Sequence, residues 1–244
     1  MSPVPPPARV GARVTRGGAT TGPKSKIVVQ PAVEPLLIFD WDDTLHPTSA
    51  LAEEGYDLMS EDVDPKSELG RNLAAHARDC ILTLEAARKR GKVMIVTAAE
   101  EGWVEQTCAK FLPALLPLVD GEGAPISVLS ARSTYEPRGF DGSFAWKRQA
   151  FQDVVAQHFR NAPRGTRRHV VSVGDAEYER TALQETAAAD PHTYGKSLKL
   201  IQGPTLARLG EQGELIRGAL EHLATFNGNL DLQVEPEKAA AAAG

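Results

Sequence analysis

LLIFDWDDT, residues 36–44, begins as an apolar run and ends in a cluster of acids and a threonine. Pro35 stands just before it, and proline bounds strands well because it cannot donate to a ladder. A short apolar run without polar alternation is the pattern of a strand buried on both faces of a parallel sheet. Asp40 then falls at the C-terminal end of that strand. In open parallel sheets this is the end where ligands gather.

Outward from this run the chain repeats the same unit of strand and helix. Lys92–Val96, Pro125–Leu129, His169–Val173 and SLKLI (197–201) read as four further strands. Helices are expected near Ser67–Lys89, Glu100–Phe111, Ala145–Phe159, Glu177–Ala187 and Thr205–Ala224. In the first of them Leu69, Leu73, His76, Ala77, Cys80, Leu84 and Ala87 recur at helical spacing, and Gly91 closes it. The alternation predicts an α/β, three-layer sandwich with a mainly parallel five-stranded sheet. Its folded domain spans 34–228, and 229–244 read as a flexible tail.

Composition narrows the function classes. The 244 residues are 42% hydrophobic and 24% charged, the balance of a globular protein with a sizeable core. A net charge of -5 argues against nucleic acid or an anionic membrane surface as partner, and no apolar run is long enough to span a bilayer. Cys80 and Cys108 sit inside amphipathic runs, which disfavours a disulfide framework. The six histidines show no metal spacing and read as surface or partly buried residues. Residues 1–33 are basic through Arg9, Arg13, Arg16, Lys24 and Lys26 and carry no acid. They read as a disordered arm, with a cytoplasmic protein, or as a transit segment directing it to a plastid or mitochondrion.

Collecting the residues at the C-terminal strand ends gives one coherent set. The first strand supplies Asp40, Asp42 and Thr44, the second Thr97, and the fourth Asp175 with Glu179 four residues on; Lys147 opens the helix after the third. FDWDDT, VMIVT, the lysine of AWK and VGDAEYE, in this order, resemble the four motifs of the haloacid dehalogenase (HAD) superfamily across residues 36–202. The resemblance implies a HAD-like Rossmannoid fold and a magnesium-dependent phosphohydrolase. Phosphate monoesters need accelerations up to on the order of 10^21, which a carboxylate nucleophile makes attainable by splitting the reaction in two.

By that resemblance Asp40 takes up the phosphoryl group, and Asp42 protonates the leaving oxygen and then activates water. Mg2+ is expected on a carboxylate oxygen of Asp40, the backbone carbonyl of Asp42, Asp175, and Glu179 directly or through water. Thr44, Thr97 and Lys147 are the expected contacts of the phosphoryl group. Two departures stand out: Ala98-Ala99 follow Thr97, and Glu179 stands where many relatives have Asp.

Plainer readings exist for each residue. Asp40 and Asp42 suit a turn, Thr97 and Asp175 suit helix caps, and Lys147 competes with Arg148, Lys196 and Lys199, since most lysines lie on the surface. Arg164, Arg167 and Arg168 read as a solvated basic patch at the far edge of the sheet. SARSTYEP (130–137) reads as an ordered loop from which Arg132 or Tyr135 reaches substrate, or which simply packs on the domain.

Substrate choice in this superfamily follows the cap. Here residues 45–67 leave room for a flap or a very small cap, acidic through Glu53, Glu54, Asp57, Glu61, Asp62 and Asp64. A nearly uncapped site suits a phosphorylated metabolite or a phosphoprotein, or closure by a second copy in a homo-oligomer. Dehalogenation leaves Asp42 without a proton to donate, and a mutase wants a larger cap. The alternative from another class is a catalytically quiet HAD-like module that binds phosphate and metal or serves protein contacts.

Overall fold

A computed structural model of the chain describes residues 33–235. The basic arm through residue 32 and the Ala-rich end lie outside the described residues. The strands are β1 (Leu36–Phe39), β2 (Lys92–Thr97), β3 (Ser127–Ser130), β4 (Arg168–Gly174), β5 (Thr193–Lys199) and β6 (Leu230–Gln233). They form a six-stranded sheet of order β3-β2-β1-β4-β5-β6, with every pair parallel. The chain winds from β1 towards β3, returns beside β1 with β4, and continues to β6. That reversal opens a crevice outside the C-terminal ends of β1 and β4.

The helices are α1 (Thr48–Glu53), α2 (Glu68–Arg88), α3 (Trp103–Phe111), α4 (Leu116–Val119), α5 (Ala131–Tyr135), α6 (Gly142–His158), α7 (Glu177–Ala188) and α8 (Leu206–Thr225). Strand alternation sorts the core into two layers. Leu37, Phe39, Val93, Ile95, Val171 and Val173 face α2, α3 and α8. Leu36, Ile38, Val96 and Val170 face α5, α6 and α7. The α2 helix starts where Ser67 Oγ accepts from Gly70 N at 2.9 Å, and it buries Leu73, His76, Ala77, Cys80, Leu84 and Ala87.

Several expectations need correction. The sheet has six strands rather than five, because Leu230–Gln233 pairs with β5 where the sequence suggests a tail from 229. Arg180 explains the difference: its guanidinium pairs with Asp231, and Ser197 Oγ donates to the same carboxylate at 2.7 Å, so a polar edge strand is pinned from α7 and β5. β5 runs over 193–199 rather than 197–201, so Lys196 lies inside a strand and is fully buried rather than on the surface. SARSTYEP is no loop: Ser130 caps α5 by accepting from Ser133 N at 3.0 Å, and a 3-10 turn over Glu136–Arg138 follows. Arg168 is not a free surface charge either, since it pairs with Asp190 at 2.8 Å. His46 and His76 are buried. Among the described residues no helix is long and apolar enough to cross a membrane.

Candidate active site

The end of β1 sets the site. Leu36, Ile38 and Asp40 alternate onto the face covered by α6, while Leu37, Phe39 and Trp41 point to the opposite core. Asp40 N still donates to Val173 O at 2.9 Å, so the ladder to β4 holds the residue in place. Beyond it the backbone coils tightly. Trp41 O accepts from the N–H groups of Thr44, Leu45 and His46, and Asp43 adopts φ 52°, a left-handed conformation that aspartate tolerates better than most residues. Asp43 in turn accepts from Ser49 N at 2.8 Å and Ser49 Oγ at 2.5 Å, fastening α1 to the coil.

Lys147 rises into this end of the sheet from the second turn of α6. It is fully buried, and its Nζ donates to Asp40 Oδ1 at 2.5 Å, Val96 O at 2.5 Å and Glu179 Oε1 at 3.0 Å. Those three acceptors match the three hydrogens of an ammonium. Burial alone would lower its pKa, but the Asp40 and Glu179 carboxylates more than offset this and raise it, so the lysine is charged.

Glu179 is buried on the first turn of α7. Its Oε2 accepts from Ala176 N at 3.2 Å, the half of a capping box that an acid at this position provides. Gly174 makes room for it, because a Cβ at 174 would collide with the Glu179 carboxylate. Asp175 lies beside them, at the junction of β4 and α7. Asp40, Asp175 and Glu179 each offer a carboxylate oxygen, and these atoms lie within 4.8 Å of one another.

Charge is out of balance here. Three buried or nearly buried carboxylates face one ammonium. Burial, then the neighbouring Glu179 carboxylate, holds Asp40 well above the usual carboxylate range despite Lys147. Burial, then Asp40 and Asp43, pushes Asp175 up to about 7. Oxygen-only donors at this spacing and short of positive charge are what a hard divalent cation requires, so this triad could hold a metal ion.

The remaining expected residues stand after β1 and at the end of β2. Thr97, buried at the end of β2, accepts from Ala99 N at 3.0 Å through its Oγ1, which leaves its O–H hydrogen free to donate. Thr44 Oγ1 is buried without a hydrogen-bond partner among the described residues, an unmet polar group. Asp42 accepts at Oδ1 from Thr48 Oγ1 at 2.6 Å and from Trp103 Nε1 at 3.0 Å. A cavity of about 160 Å³ adjoins Thr97, with Glu100, Glu101, Glu105, Ser130 and Ser133 on its wall.

Arg132 and Tyr135 are occupied elsewhere. Arg132 pairs with Glu100 and Glu136, and the buried Tyr135 donates to Asp153 at 2.9 Å, so SARSTYEP packs on the domain. Both cysteines are buried and free, and burial raises both thiols, that of Cys108 to about 12, so neither is a thiolate nucleophile. Sequence reasoning missed Asp43, His46, Thr48 and Trp103. Asp43 belongs to the acid run, and His46 and Thr48 follow it closely enough to invite inspection, whereas nothing in the sequence marks Trp103, which lies 61 residues from its partner Asp42.

No protein-family model and no curated protein matches the chain. Among solved structures it is similar to the Legionella pneumophila effector Ceg4, at 12% identity and a TM-score of 0.37 over 79% of this chain and 99% of that one. A likeness this loose carries no argument about function.

Proposed function

We propose that the chain is a magnesium-dependent phosphohydrolase of the HAD type, working through an aspartyl-phosphate on Asp40. One observation carries the reading: Asp40, Lys147, and the Asp175–Glu179 stretch, three segments distant in sequence, converge with Asp42 beside them in an arrangement short of positive charge. Magnesium would be held by Asp40, the Asp42 carbonyl and Asp175. Glu179, whose two oxygens already serve Lys147 and Ala176 N, keeps lone pairs for the ion or one of its waters. Bound there, the ion would neutralise charge on the phosphoryl oxygens and the crowded carboxylates.

The chain's own residues divide the rest of the work. Asp40 attacks phosphorus as the leaving oxygen departs, and Asp42 supplies that oxygen with a proton. In the second half Asp42 takes a proton from the water that attacks the aspartyl-phosphate, which restores Asp40 and releases phosphate. Lys147 fixes Asp40 Oδ1, while Thr97 and Thr44 offer hydroxyls to the phosphoryl oxygens. The substrate is a phosphorylated metabolite or a phosphoprotein, since residues 45–67 form only α1 and turns, too little chain for a large cap.

Purified protein is expected to release phosphate from an aryl phosphate with magnesium and to stop when the metal is chelated. Equal rates for wild type and Asp40→Asn would sink the reading.

A further inference from the structure

The carboxyl group of Asp42 is gripped by one oxygen. Trp103 Nε1 and Thr48 Oγ1 both reach Oδ1, at 3.0 and 2.6 Å, and Oδ2 receives neither. An indole N–H can only donate, and the good acceptor of a protonated carboxyl is its carbonyl oxygen. Oδ1 is therefore the acceptor in both protonation states, and a proton on Asp42 resides on Oδ2.

The assignment propagates outward. With Oδ1 accepting, the Thr48 hydroxyl must donate to it, and its lone pairs are left for His46 Nδ1 at 2.8 Å. Nδ1 then carries the hydrogen of a neutral imidazole. Nε2 is the bare nitrogen, and it is the one buried without a hydrogen-bond partner. The ring has little freedom to leave: His46 is 2% exposed, stacked on Trp41 with centroids 5.7 Å apart, and tilted against Phe111 at 5.6 Å. Its main chain is tied as well, His46 N donating to Trp41 O and Asp43 N to His46 O.

We propose that Trp103, Thr48 and His46 form a clamp that fixes the Asp42 carboxyl so that Oδ2 alone exchanges the proton of the acid–base step. Trp103 and Thr48 are thus positioning residues for Asp42, and the proposal rests on the phosphohydrolase reading above. A free aspartate carboxyl turns about a broad, nearly two-fold torsion, which would interchange its oxygens. The clamp removes that freedom. One oxygen can then give its proton to the leaving group and recover one from water without reorganising between the two halves of the reaction. It also ties α1, at the start of the flap, and α3 to the acid, which couples the local structure after each of the first two strands to the chemistry.

Leaving-group dependence separates this role from general support of the fold. The quantity to compare is kcat/KM, which reports the steps through departure of the leaving group, for an alkyl phosphate and for 4-nitrophenyl phosphate. An alkoxide needs the proton; 4-nitrophenolate leaves with little help. Thr48→Val and Trp103→Phe should each lower kcat/KM on the alkyl phosphate by roughly 10- to 100-fold, with a several-fold smaller loss on the aryl phosphate. Thr48→Ser, which keeps the hydroxyl, should stay within about threefold of wild type on both. Equal losses on the two substrates, or a Thr48→Ser variant as impaired as Thr48→Val, would overturn the clamp.

Nitrogen NMR of the wild-type imidazoles tests it without turnover. His46 should be the Nδ1–H tautomer, and an Nε2–H tautomer would contradict the proton assignment. The two readings fail differently. Phosphate release that ignores Asp40→Asn removes the phosphohydrolase and the clamp's role together, whereas Asp40-dependent release with no leaving-group effect removes the clamp alone.

Discussion

Lys147 and Lys196 are both fully buried against the same sheet, yet their surroundings shift the two ammonium groups in opposite directions. Lys147 lies at the C-terminal edge, on the α6 face, with Asp40, Glu179 and the Val96 carbonyl around its ammonium. Lys196 lies inside β5, in register with Val171 and so on the opposite face, and its Nζ meets His169 Nδ1 at 2.7 Å. Among the described residues no carboxylate pairs with it. Burial lowers the Lys196 ammonium to about 7, and burial together with the Lys196 charge lowers His169 to about 4.

The contrast shows what a buried charge signals. A lone buried lysine meets its desolvation cost by holding its proton less tightly, and that requires no ligand. Around Lys147 the fold instead gathers carboxylates that repel one another, an arrangement unfavourable in itself and characteristic of sites that bind a cation or do chemistry. Burial is common to both lysines; the company they keep distinguishes a site from a tolerated core residue.

Substitution to an isosteric apolar residue should therefore act in opposite directions at the two positions. The largest effect is expected for Lys147→Met, which strands Asp40 and Glu179 without their ammonium. It should lose about 3–5 kcal/mol of stability in denaturant unfolding, as removal of one partner from a buried ion pair does, and release no phosphate. A variant as stable as wild type would mean that the carboxylates are already protonated and the pairing matters little.

Magnesium offers the next test. Wild type should gain roughly 3–4 kcal/mol of unfolding free energy at an ion concentration 100 to 1,000 times its Kd, by mass action on the folded state. Asp175→Asn should gain distinctly less at the same concentration. An equal rise in melting temperature for both proteins would separate the carboxylate triad from the metal.

At the other lysine the expected change is smaller and of opposite sign. The folded-state pKa of Lys196 is lowered from 10.5 to about 7, so between those values the folded chain holds fewer protons than the unfolded one. Stability should then rise with pH across that window and be lost as pH falls towards 7. Lys196→Met should remove this slope and add about 1 kcal/mol or more at pH 7, with the advantage over wild type closing towards pH 10. Chemical denaturation across that range decides it; destabilisation at every pH would show that the amine's bond to His169 outweighs its burial.

The same contrast explains what the sequence made legible. β1, β2 and β4 each carry a mainly apolar run, and Asp40, Thr97 and Asp175 come together because such strands present their C-terminal ends together. Lys147 was recoverable from motif order, although the sequence places it at the opening of a helix whose second turn it occupies. Lys196 was not, since Thr-Tyr-Gly-Lys-Ser carries no apolar periodicity; its polar groups are met by residues distant in sequence, His169 for Lys196, Asn229 for Gly195 and Asp231 for Ser197. β6 was hidden for the same reason. The Asp42 clamp escaped because hydrogen bonding between Trp103 and Asp42 exists only once α3 has packed against the coil after β1.

The most direct test of Asp40 as the nucleophile is to trap the phosphoryl group on it during turnover. Acid quenching followed by borohydride reduction converts an aspartyl-phosphate to homoserine, which peptide mass spectrometry locates. The account predicts homoserine at position 40, dependent on substrate and magnesium and absent from Asp40→Asn. Phosphate release with reduction at another carboxylate, or with none trapped at any point in the turnover, would contradict it.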